Sequence, residues 1–322
     1  MGKFSLKGRN WKQFLSDNKP VVVLLILVVT MSFLSDRFLT WSNIITVLRQ
    51  TSINAVIATG MTFAILIGGI DLSVGSVLAI SGAIAASLVA SGMNIVLVIL
   101  ITLLIGLIIG LLNGLLISKG RLQPFIATLG TMTLLRGLTL VYTQGRPISI
   151  FGSDTSAMFS KIGTGYFLGI PIPVYIMLVV FFISWYTLNH LKIGRYTYAL
   201  GSNEEATMYS GIKTDSIKLF VYAVAGVLAA LAGIIVTARL GSAQPTAGSG
   251  YELDAIAAVV IGGTSMDGGI GTIFGTAIGA MIIGILNNAL NMLQVSSYYQ
   301  DVAKGVVILI AVLLDRKQRK SR

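Results

Sequence analysis

The chain has 322 residues, of which 55% are hydrophobic and only 11% are charged, and its mean hydropathy is +0.87. Soluble domains carry about 25% charged residues, so this composition excludes an ordinary soluble protein and indicates a protein embedded in a membrane. The sequence has no cysteine and one histidine, which rules out disulfide bonds and disfavours a metal site.

The net charge of +11 is concentrated at the two ends of the chain. Residues 1–19 and residues 316–322 each contain five lysine or arginine residues, which together make ten of the 23 in the chain. Because basic flanking segments stay on the cytoplasmic side of a membrane, we expect a cytoplasmic N-terminal segment, a cytoplasmic tail and an even number of spans. The charge therefore indicates orientation in a membrane rather than nucleic-acid binding.

Apolar stretches follow one another through residues 20–315, which we predict to be the transmembrane domain. About 20 apolar residues cross a bilayer as a helix, and these stretches are continuous rather than alternating, which disfavours a β-barrel. We therefore predict an all-α, polytopic membrane protein of about ten transmembrane helices. The stretches that give this number are residues 20–35, 50–70, 72–118, 125–143, 162–189, 219–238, 255–263, 268–300 and 302–314.

Two more polar segments separate these stretches. Residues 144–173 have few charges and several glycines and prolines, and we predict an irregular external loop there. Residues 191–216 form the most polar long segment between two spans, and we predict that they lie in the cytoplasm. Ten spans from a cytoplasmic start also place the basic pairs Lys119/Arg121 and Lys192/Arg195 on the cytoplasmic side.

A short helix is expected within the second polar segment, from Asn203 to Ser210. Asn203 is a favourable N-cap residue, Glu204 and Glu205 fall in the first turn, and Gly211 follows the last turn. These residue types match the chemistry of helix ends.

Two pairs of segments suggest that the chain contains an internal repeat. Residues 69–83 (GIDLSVGSVLAISGA) align with residues 250–264 (GYELDAIAAVVIGGT), and GLLNGLL aligns with GILNNAL further along, so that Asn113 pairs with Asn287. With ten spans, the partners lie five spans apart and have opposite orientations, which predicts inverted five-helix repeats. Shared small residues for helix packing are the alternative explanation.

The first aligned pair places a carboxylate before each of two apolar helices. Asp71 and Glu252 each follow a glycine by two positions, and a carboxylate there can accept free backbone N–H groups and offset the positive helix end. A proton or ion site is the alternative for an intramembrane acid. The predicted helix-start and hinge residues are Gly68, Gly69, Asp71, Ser73, Gly75, Gly250 and Glu252.

No catalytic residue is predicted. The apolar region contains no nucleophile–base pair and no H-E-x-x-H motif, and GGTSMDGGIG lacks the Lys-Ser/Thr ending of a phosphate-binding loop. A transporter without its own ATP site is driven either by an ion gradient or by a partner.

Five longer segments carry a specific resemblance. GGIDLSVG, KGRLQPFIATLGTMTLLRGLTLVYTQGRPI, GRYTYALGSNEEAT, SAQPTAGSGYELDAIAAVVIGGTS and LNNALNMLQVSSYYQ together resemble the ribose-type branch of bacterial monosaccharide permeases of ATP-binding-cassette importers. The resemblance extends from Phe38 to Leu314. EATMYSG resembles the E-A-A-x-x-x-G loop with which such permeases dock their ATPases, which implies a coupling role for Asn203, Glu204, Glu205, Ala206, Thr207 and Gly211.

The resemblance implies a multi-pass subunit of the bacterial inner membrane that imports a monosaccharide, with ribose as the first expectation. Thr272 replaces a basic residue of the ribose-permease pattern, which leaves xylose, galactose or an autoinducer furanose as alternatives. ATP and Mg would be used by a separate cytoplasmic ATP-binding subunit, so this chain would bind no cofactor and would not itself be an enzyme. The other implied partners are an extracytoplasmic sugar-binding protein, a second permease copy in a homodimer, and membrane lipid.

A neutral sugar would pass along hydrogen-bonding side chains, and several polar residues lie within or beside the apolar helices. For each of them, a hydrogen bond between helices is the alternative role. An ion-coupled secondary sugar transporter, a membrane enzyme and a passive channel remain rival classes for the whole chain. The candidates for the translocation path are Asn54, Thr62, Asn113, Gln123, Thr128, Asn287, Asn288 and Asn291.

Overall fold

The computed structural model describes residues 19–306 and residue 309. The basic N-terminal segment before Lys19, the tail of residues 316–322 and most of the predicted last span lie outside the described residues. In chain order the helices are α1 (Lys19–Leu34), α2 (Trp41–Leu66), α3 (Val74–Ala90), α4 (Ile95–Ser118), α5 (Pro124–Thr143), α6 (Asp154–Thr164), α7 (Ile172–His190), α8 (Lys192–Ser202), α9 (Glu204–Tyr209), α10 (Thr214–Leu240), α11 (Tyr251–Ile261) and α12 (Ile273–Met292). Residues 297–306 are again helical, and we call them the C-terminal helical segment.

Four very short strands complete the described structure. Strand β1 (Ile148–Ser149) pairs with β4 (Ser242–Ala243), and β2 (Tyr166–Phe167) pairs with β3 (Ile170–Pro171), both antiparallel. The pairing of β1 with β4 joins the loop after α5 to the loop after α10. The predicted all-α architecture is therefore confirmed.

Five of the described helices are long and apolar enough to cross a membrane, namely α4, α5, α7, α10 and α12, and α1 and α3 are shorter apolar helices. Helices α4, α5 and α7 bury less than a third of their most apolar window, and their outer faces are rows of leucine, isoleucine and phenylalanine. Such faces fit lipid rather than water. The chain is therefore a multi-pass helical membrane protein, while the number of ten spans and the inverted repeat remain predictions.

Helices α2 and α10 form the centre of the bundle. Nearly every residue of α2 from Thr51 to Leu66 is buried, and 72% of the most apolar window of α10 is buried. Helix α4 crosses α10 at glycines, because a Cβ at Gly106 or Gly110 would collide with a backbone carbonyl oxygen of α10. The spacing of these small residues thus serves close helix packing.

The segment of residues 144–173 is more ordered than an irregular loop, so that part of the prediction is wrong. It contains β1, the helix α6 and the β2–β3 hairpin. Helix α6 begins with a capping box between Ser153 and Ser156, carries Asp154 in its first turn and buries Phe159 completely. Local capping and one aromatic anchor stabilise a helix in a segment whose glycines and prolines suggested none.

Candidate translocation and coupling sites

The chain breaks between α2 and α3, as predicted from its glycines. Helix α2 ends at Leu66, Gly68 has a φ of 74°, and the N–H of Gly69 donates to the carbonyl of Ala64. This is the left-handed closing turn that glycine adopts without strain. The next helix begins only at Val74, so residues 67–73 form a non-helical segment, which is buried from Asp71 to Ser73.

Helix α3 starts in the interior of the bundle rather than at its end. A Cβ at Gly233, in the second half of α10, would lie 2.6 Å from the carbonyl oxygen of Leu78. The following turns of α3 continue beside α10, with Gly82 against Thr237. Helix α11 has 11 residues, a length of about 17 Å, which is too short to cross a bilayer.

The starts of these two short helices meet. A Cβ at Gly75 would collide with the carbonyl oxygen of Gly248, and it would lie 2.7 Å from Oε2 of Glu252. A Cβ at Gly248 would lie 2.6 Å from the carbonyl oxygen of Gly75. The two segments that align in the sequence are therefore brought together in space.

Asp71 lies at the start of α3 and is 1% exposed. Its Oδ1 accepts the backbone N–H of Ser73 at 2.9 Å and the hydroxyl of Ser73 at 2.6 Å. The expected backbone contact of this carboxylate is thus present. Ser73 occupies the N-cap position as a helix-start residue, but its hydroxyl donates to Asp71 and makes no capping bond.

A buried hydrogen-bond chain continues from Ser73 across two further helices. The amide nitrogen of Asn113 on α4 donates to the Ser73 hydroxyl at 2.9 Å, and the hydroxyl of Thr131 on α5 donates to the Asn113 carbonyl oxygen at 2.7 Å. Asn113 is fully buried. We call Asp71, Ser73, Asn113 and Thr131 the Asp71 network. The structure therefore places Asn113 between packed helices, and Thr131 is a member that the sequence analysis missed.

Gly250 and Glu252 begin α11 as predicted. Gly250 is its N-cap residue with a left-handed φ of 80°, and its N–H donates to Oε1 of Glu252 at 3.3 Å. Arg136 on α5 holds the segment before this helix, since its guanidinium donates to the carbonyl oxygens of Pro245 at 3.2 Å and Ala247 at 2.8 Å. Arg136 thus supplies hydrogen bonds to two backbone carbonyl groups of the non-helical segment before α11.

A second polar group surrounds Asp254 in the first turn of α11. The amide nitrogen of Asn54 on α2 lies 3.4 Å from Oδ2 of Asp254, and that of Asn287 on α12 lies 3.3 Å from it. Nζ of Lys304, on the C-terminal helical segment, is 3.3 Å from each carboxylate oxygen. We call these four residues the Asp254 cluster. Asp254 and Lys304 are 50 positions apart, and no local pattern in the sequence links them.

The remaining path candidates make other contacts. Thr62 and Thr276 join α2 to α12 with a hydroxyl–hydroxyl bond of 2.7 Å, and both are fully buried. Asn54 and Asn287 are thus the two path candidates that the described structure brings to one group. Of the others, Thr128 donates to backbone carbonyls, Asn288 pairs with Asn43, Asn291 accepts from Gln300, and Gln123 is exposed at the start of α5 without a capping bond.

The short helix predicted from Asn203 to Ser210 is present as α9, while its coupling role stays a prediction. Oδ1 of its N-cap residue Asn203 accepts the N–H of Ala206 at 2.8 Å, and Gly211 follows the helix with a φ of 81°. Glu204 forms a 2.6 Å ion pair with Lys218 near the start of α10. Of the six predicted coupling residues, Thr207 alone is buried. The rest of the helix, including Tyr209 at 82% exposure, presents a free surface in the described part of the chain.

Helix α8 connects this surface to the centre of the bundle. A Cβ at Gly201 would collide with the carbonyl oxygen of Leu66, the last residue of α2. The hydroxyl of Tyr198 donates to the carbonyl of Gly271, just before α12, at 2.8 Å. The surface formed by α8 and α9 therefore contacts the ends of the two helices that carry Asn54 and Asn287.

Comparison with known proteins shows the family to which the chain belongs. The model of the family described as "Branched-chain amino acid transport system / permease component" matches residues 43–312. The chain is 60% identical to the ribose import permease protein of Haemophilus influenzae over 303 residues, which cover 94% of each chain. It is 58% identical to that of Bacillus subtilis, over 93% of this chain and 92% of the relative.

A permease for another sugar is less similar. The D-allose transport system permease protein of Escherichia coli K12 is 44% identical, over 96% of this chain and 94% of that protein. No solved structure matches the chain. The length of the family match and the high identity over nearly the full chain show that this protein belongs to this family of transport-system permeases, in the branch that contains the ribose import permeases.

Proposed function

We propose that this chain is the membrane-spanning permease of an ATP-binding-cassette importer that carries ribose into the cytoplasm. The order of similarity is the observation that supports ribose most directly. Identity is 60% and 58% to two ribose import permeases, 44% to an allose permease and 35% to an arabinose permease of Escherichia coli K12.

The departure at Thr272 does not argue against ribose. Its hydroxyl accepts the N–H of Gly275 at 3.0 Å and caps the start of α12. Threonine is a good N-cap residue, so the substitution is explained by local helix chemistry.

In the proposed importer, a cytoplasmic ATP-binding subunit docks on α9 and hydrolyses ATP with Mg, so the chain itself is not an enzyme and binds no cofactor. An extracytoplasmic binding protein delivers the sugar, and a second copy of this chain completes the permease in the inner membrane, surrounded by lipid. Both termini lie in the cytoplasm, on the same side as residues 191–216. Movement of α9 is transmitted to α2 and α12 through α8, which contacts the last residue of α2 and the segment just before α12.

Uptake assays test which sugar is the substrate. A strain that lacks its own pentose and hexose importers receives this permease with its ATPase and binding protein, and uptake of labelled ribose, allose, arabinose, xylose and galactose is measured. We expect uptake of ribose above that of the other sugars, and loss of uptake when the ATPase is inactivated. Preference for another sugar would overturn the substrate, and uptake that needs an ion gradient but no ATPase would favour a secondary transporter.

Charge reversal at Glu205 tests the docking surface. Glu205→Lys places a positive charge at the exposed N-terminal end of α9, where the helix dipole is already positive and where we expect the ATPase to bind. We expect the amount of ATPase that co-purifies to fall by about fivefold or more, which corresponds to about 1 kcal/mol of binding free energy. Pull-down of the tagged permease measures it.

Asp154→Lys provides the matched control. Asp154 is also an acid in the first turn of a short helix, but α6 packs beside Arg239 at the far end of α10 from Lys218. This variant should retain the ATPase at the original level. Equal retention by Glu205→Lys would contradict the docking role of α9.

A further inference from the structure

The Asp254 cluster contains hydrogen-bond acceptors that the described residues leave open. Oδ1 of Asp254 and the carbonyl oxygen of Asn287 accept no hydrogen bond, although the Lys304 ammonium lies 3.3 Å from that carboxylate oxygen. The side chain of Asp254 is only 4% exposed. Buried polar atoms are nearly always bonded, so two open acceptors within one polar group indicate a place for a polar ligand.

The position of the cluster suits a ligand that moves through the bundle. Its four members come from α2, α11, α12 and the C-terminal helical segment. Helix α11 starts beside α3 at the Gly75–Gly248 contact, and transporters often place their substrate sites where short helices begin inside the bundle. The side chain of Lys304 is 24% exposed. Its ion pair with Asp254 therefore links the buried carboxylate of Asp254 to the protein surface.

The chemistry of the cluster matches hydroxyl groups. The amides of Asn54 and Asn287 and the ammonium of Lys304 are donors, and the open carboxylate and carbonyl oxygens are acceptors. A sugar hydroxyl both donates and accepts, so it can bond to either kind of group. The Lys304 charge offsets that of Asp254, and the exposed Asp301 on the same segment adds a nearby negative charge that disfavours an anion.

A metal ion is not suited to this position. The described residues contain no group of three or more histidine, cysteine, aspartate or glutamate side chains that could hold one. The ammonium of Lys304 also occupies the place beside the carboxylate that a cation would take.

We propose that Asn54, Asp254, Asn287 and Lys304 form a binding site for the hydroxyl groups of the sugar on its way through the permease. The inference rests on the proposed function, since the sugar is the substrate of that import. The site binds weakly, because each amide contributes one hydrogen bond and because release toward the cytoplasm requires low affinity. Asp254 and Lys304 supply the stronger, charge-assisted hydrogen bonds.

Removal of both charges separates this role from that of a structural ion pair. In the double variant Asp254→Leu/Lys304→Met, neither partner of this ion pair is left as an unpaired charge, so a pair with only a structural role can be lost without preventing folding. We expect the complete importer to assemble and to bind the loaded binding protein, while ATP-driven ribose uptake into proteoliposomes falls at least about tenfold, the equivalent of one charge-assisted hydrogen bond.

Lys119→Met/Asp215→Leu is the matched control. These residues form an ion pair of 2.6 Å between the end of α4 and the first turn of α10, and both are partly or largely exposed. This variant should transport ribose at the original rate. Uptake by Asp254→Leu/Lys304→Met at the level of this control would overturn the inference.

A cysteine at Asn287 gives a second, independent measurement. The chain has no cysteine of its own, so Asn287→Cys is the single thiol that a small methanethiosulfonate reagent can modify on it. We expect ribose, supplied with its binding protein during ATP turnover, to slow modification at this position, because a sugar molecule in the site covers the thiol during its passage. Modification of Ser91→Cys, which is exposed just after α3 and away from the surface formed by α8 and α9, should be unaffected.

The outcomes distinguish the two proposals. If the unmodified importer transports no ribose, the proposed substrate fails. If it transports ribose but the sugar gives Asn287→Cys no protection beyond that of Ser91→Cys, the sugar-binding site is overturned, even where the double variant fails to assemble.

Discussion

Asp71→Leu is expected to abolish most ribose uptake and to lower the yield of folded permease, whereas Asp71→Asn should keep much of both. Oδ1 of Asp71 accepts the backbone N–H and the hydroxyl of Ser73, and leucine can accept neither. A buried donor without a partner costs about 1–3 kcal/mol. Asparagine keeps a carbonyl oxygen at this position and therefore the acceptor of the Asp71 network.

The same pair of variants separates the two roles of an intramembrane acid. Asparagine cannot take up or release a proton, so a proton-coupled carrier would lose transport in Asp71→Asn as fully as in Asp71→Leu. Thermal unfolding in detergent and ribose uptake of the assembled importer measure the two variants side by side. Loss of uptake in a stable Asp71→Asn variant would contradict the structural role.

Gly75→Ala is expected to reduce uptake by about tenfold or more, although it adds only one methyl group. That Cβ would collide with the carbonyl oxygen of Gly248 and approach Oε2 of Glu252. Neither backbone can move freely, because α3 packs against α10 and Arg136 holds the segment before α11. Inserting a methyl group into such a contact costs about 1–3 kcal/mol, and it separates the two helix starts.

Gly137→Ala is the same change at an open position and serves as the control. No atom lies within 4 Å of the added Cβ on α5, and alanine favours a helix over glycine by about 1 kcal/mol. This variant should match or exceed the original thermal stability. Equal behaviour of Gly75→Ala and Gly137→Ala, in stability and in uptake, would contradict the close contact of α3 with α11.

Features that depend on neighbouring residues in the chain could be predicted from the sequence. Asn203, two acids and Gly211 predict helix α9, because helix-end chemistry acts within about four residues. The break between α2 and α3 was predicted from Gly68 and Gly69 for the same reason. Apolar composition predicted the helical membrane architecture, because lipid leaves few ways to satisfy the backbone.

Features set by contacts between distant helices could not be predicted in this way. Asn113 and Asn287 align in the predicted repeat, yet Asn113 on α4 bonds to Ser73 and to Thr131 on α5, whereas Asn287 lies beside Asp254. The rotation of a helix about its axis decides which neighbours its asparagine contacts. That rotation depends on close helix contacts such as that of Gly110 with α10. The sequence does not predict helix α6, because the glycines and prolines of residues 144–173 indicate a loop more strongly than Ser153 and Ser156 indicate a helix start.

Reconstitution of the purified permease tests the account as a whole. The chain is placed in proteoliposomes with its ATP-binding subunit, ribose-loaded binding protein is added outside, and ATP with Mg is enclosed inside, with the membrane potential and ion gradients collapsed. We predict ribose accumulation that requires both partners and ATP. Accumulation by the permease alone, or none with all components present and ATP being hydrolysed, would contradict the central claim.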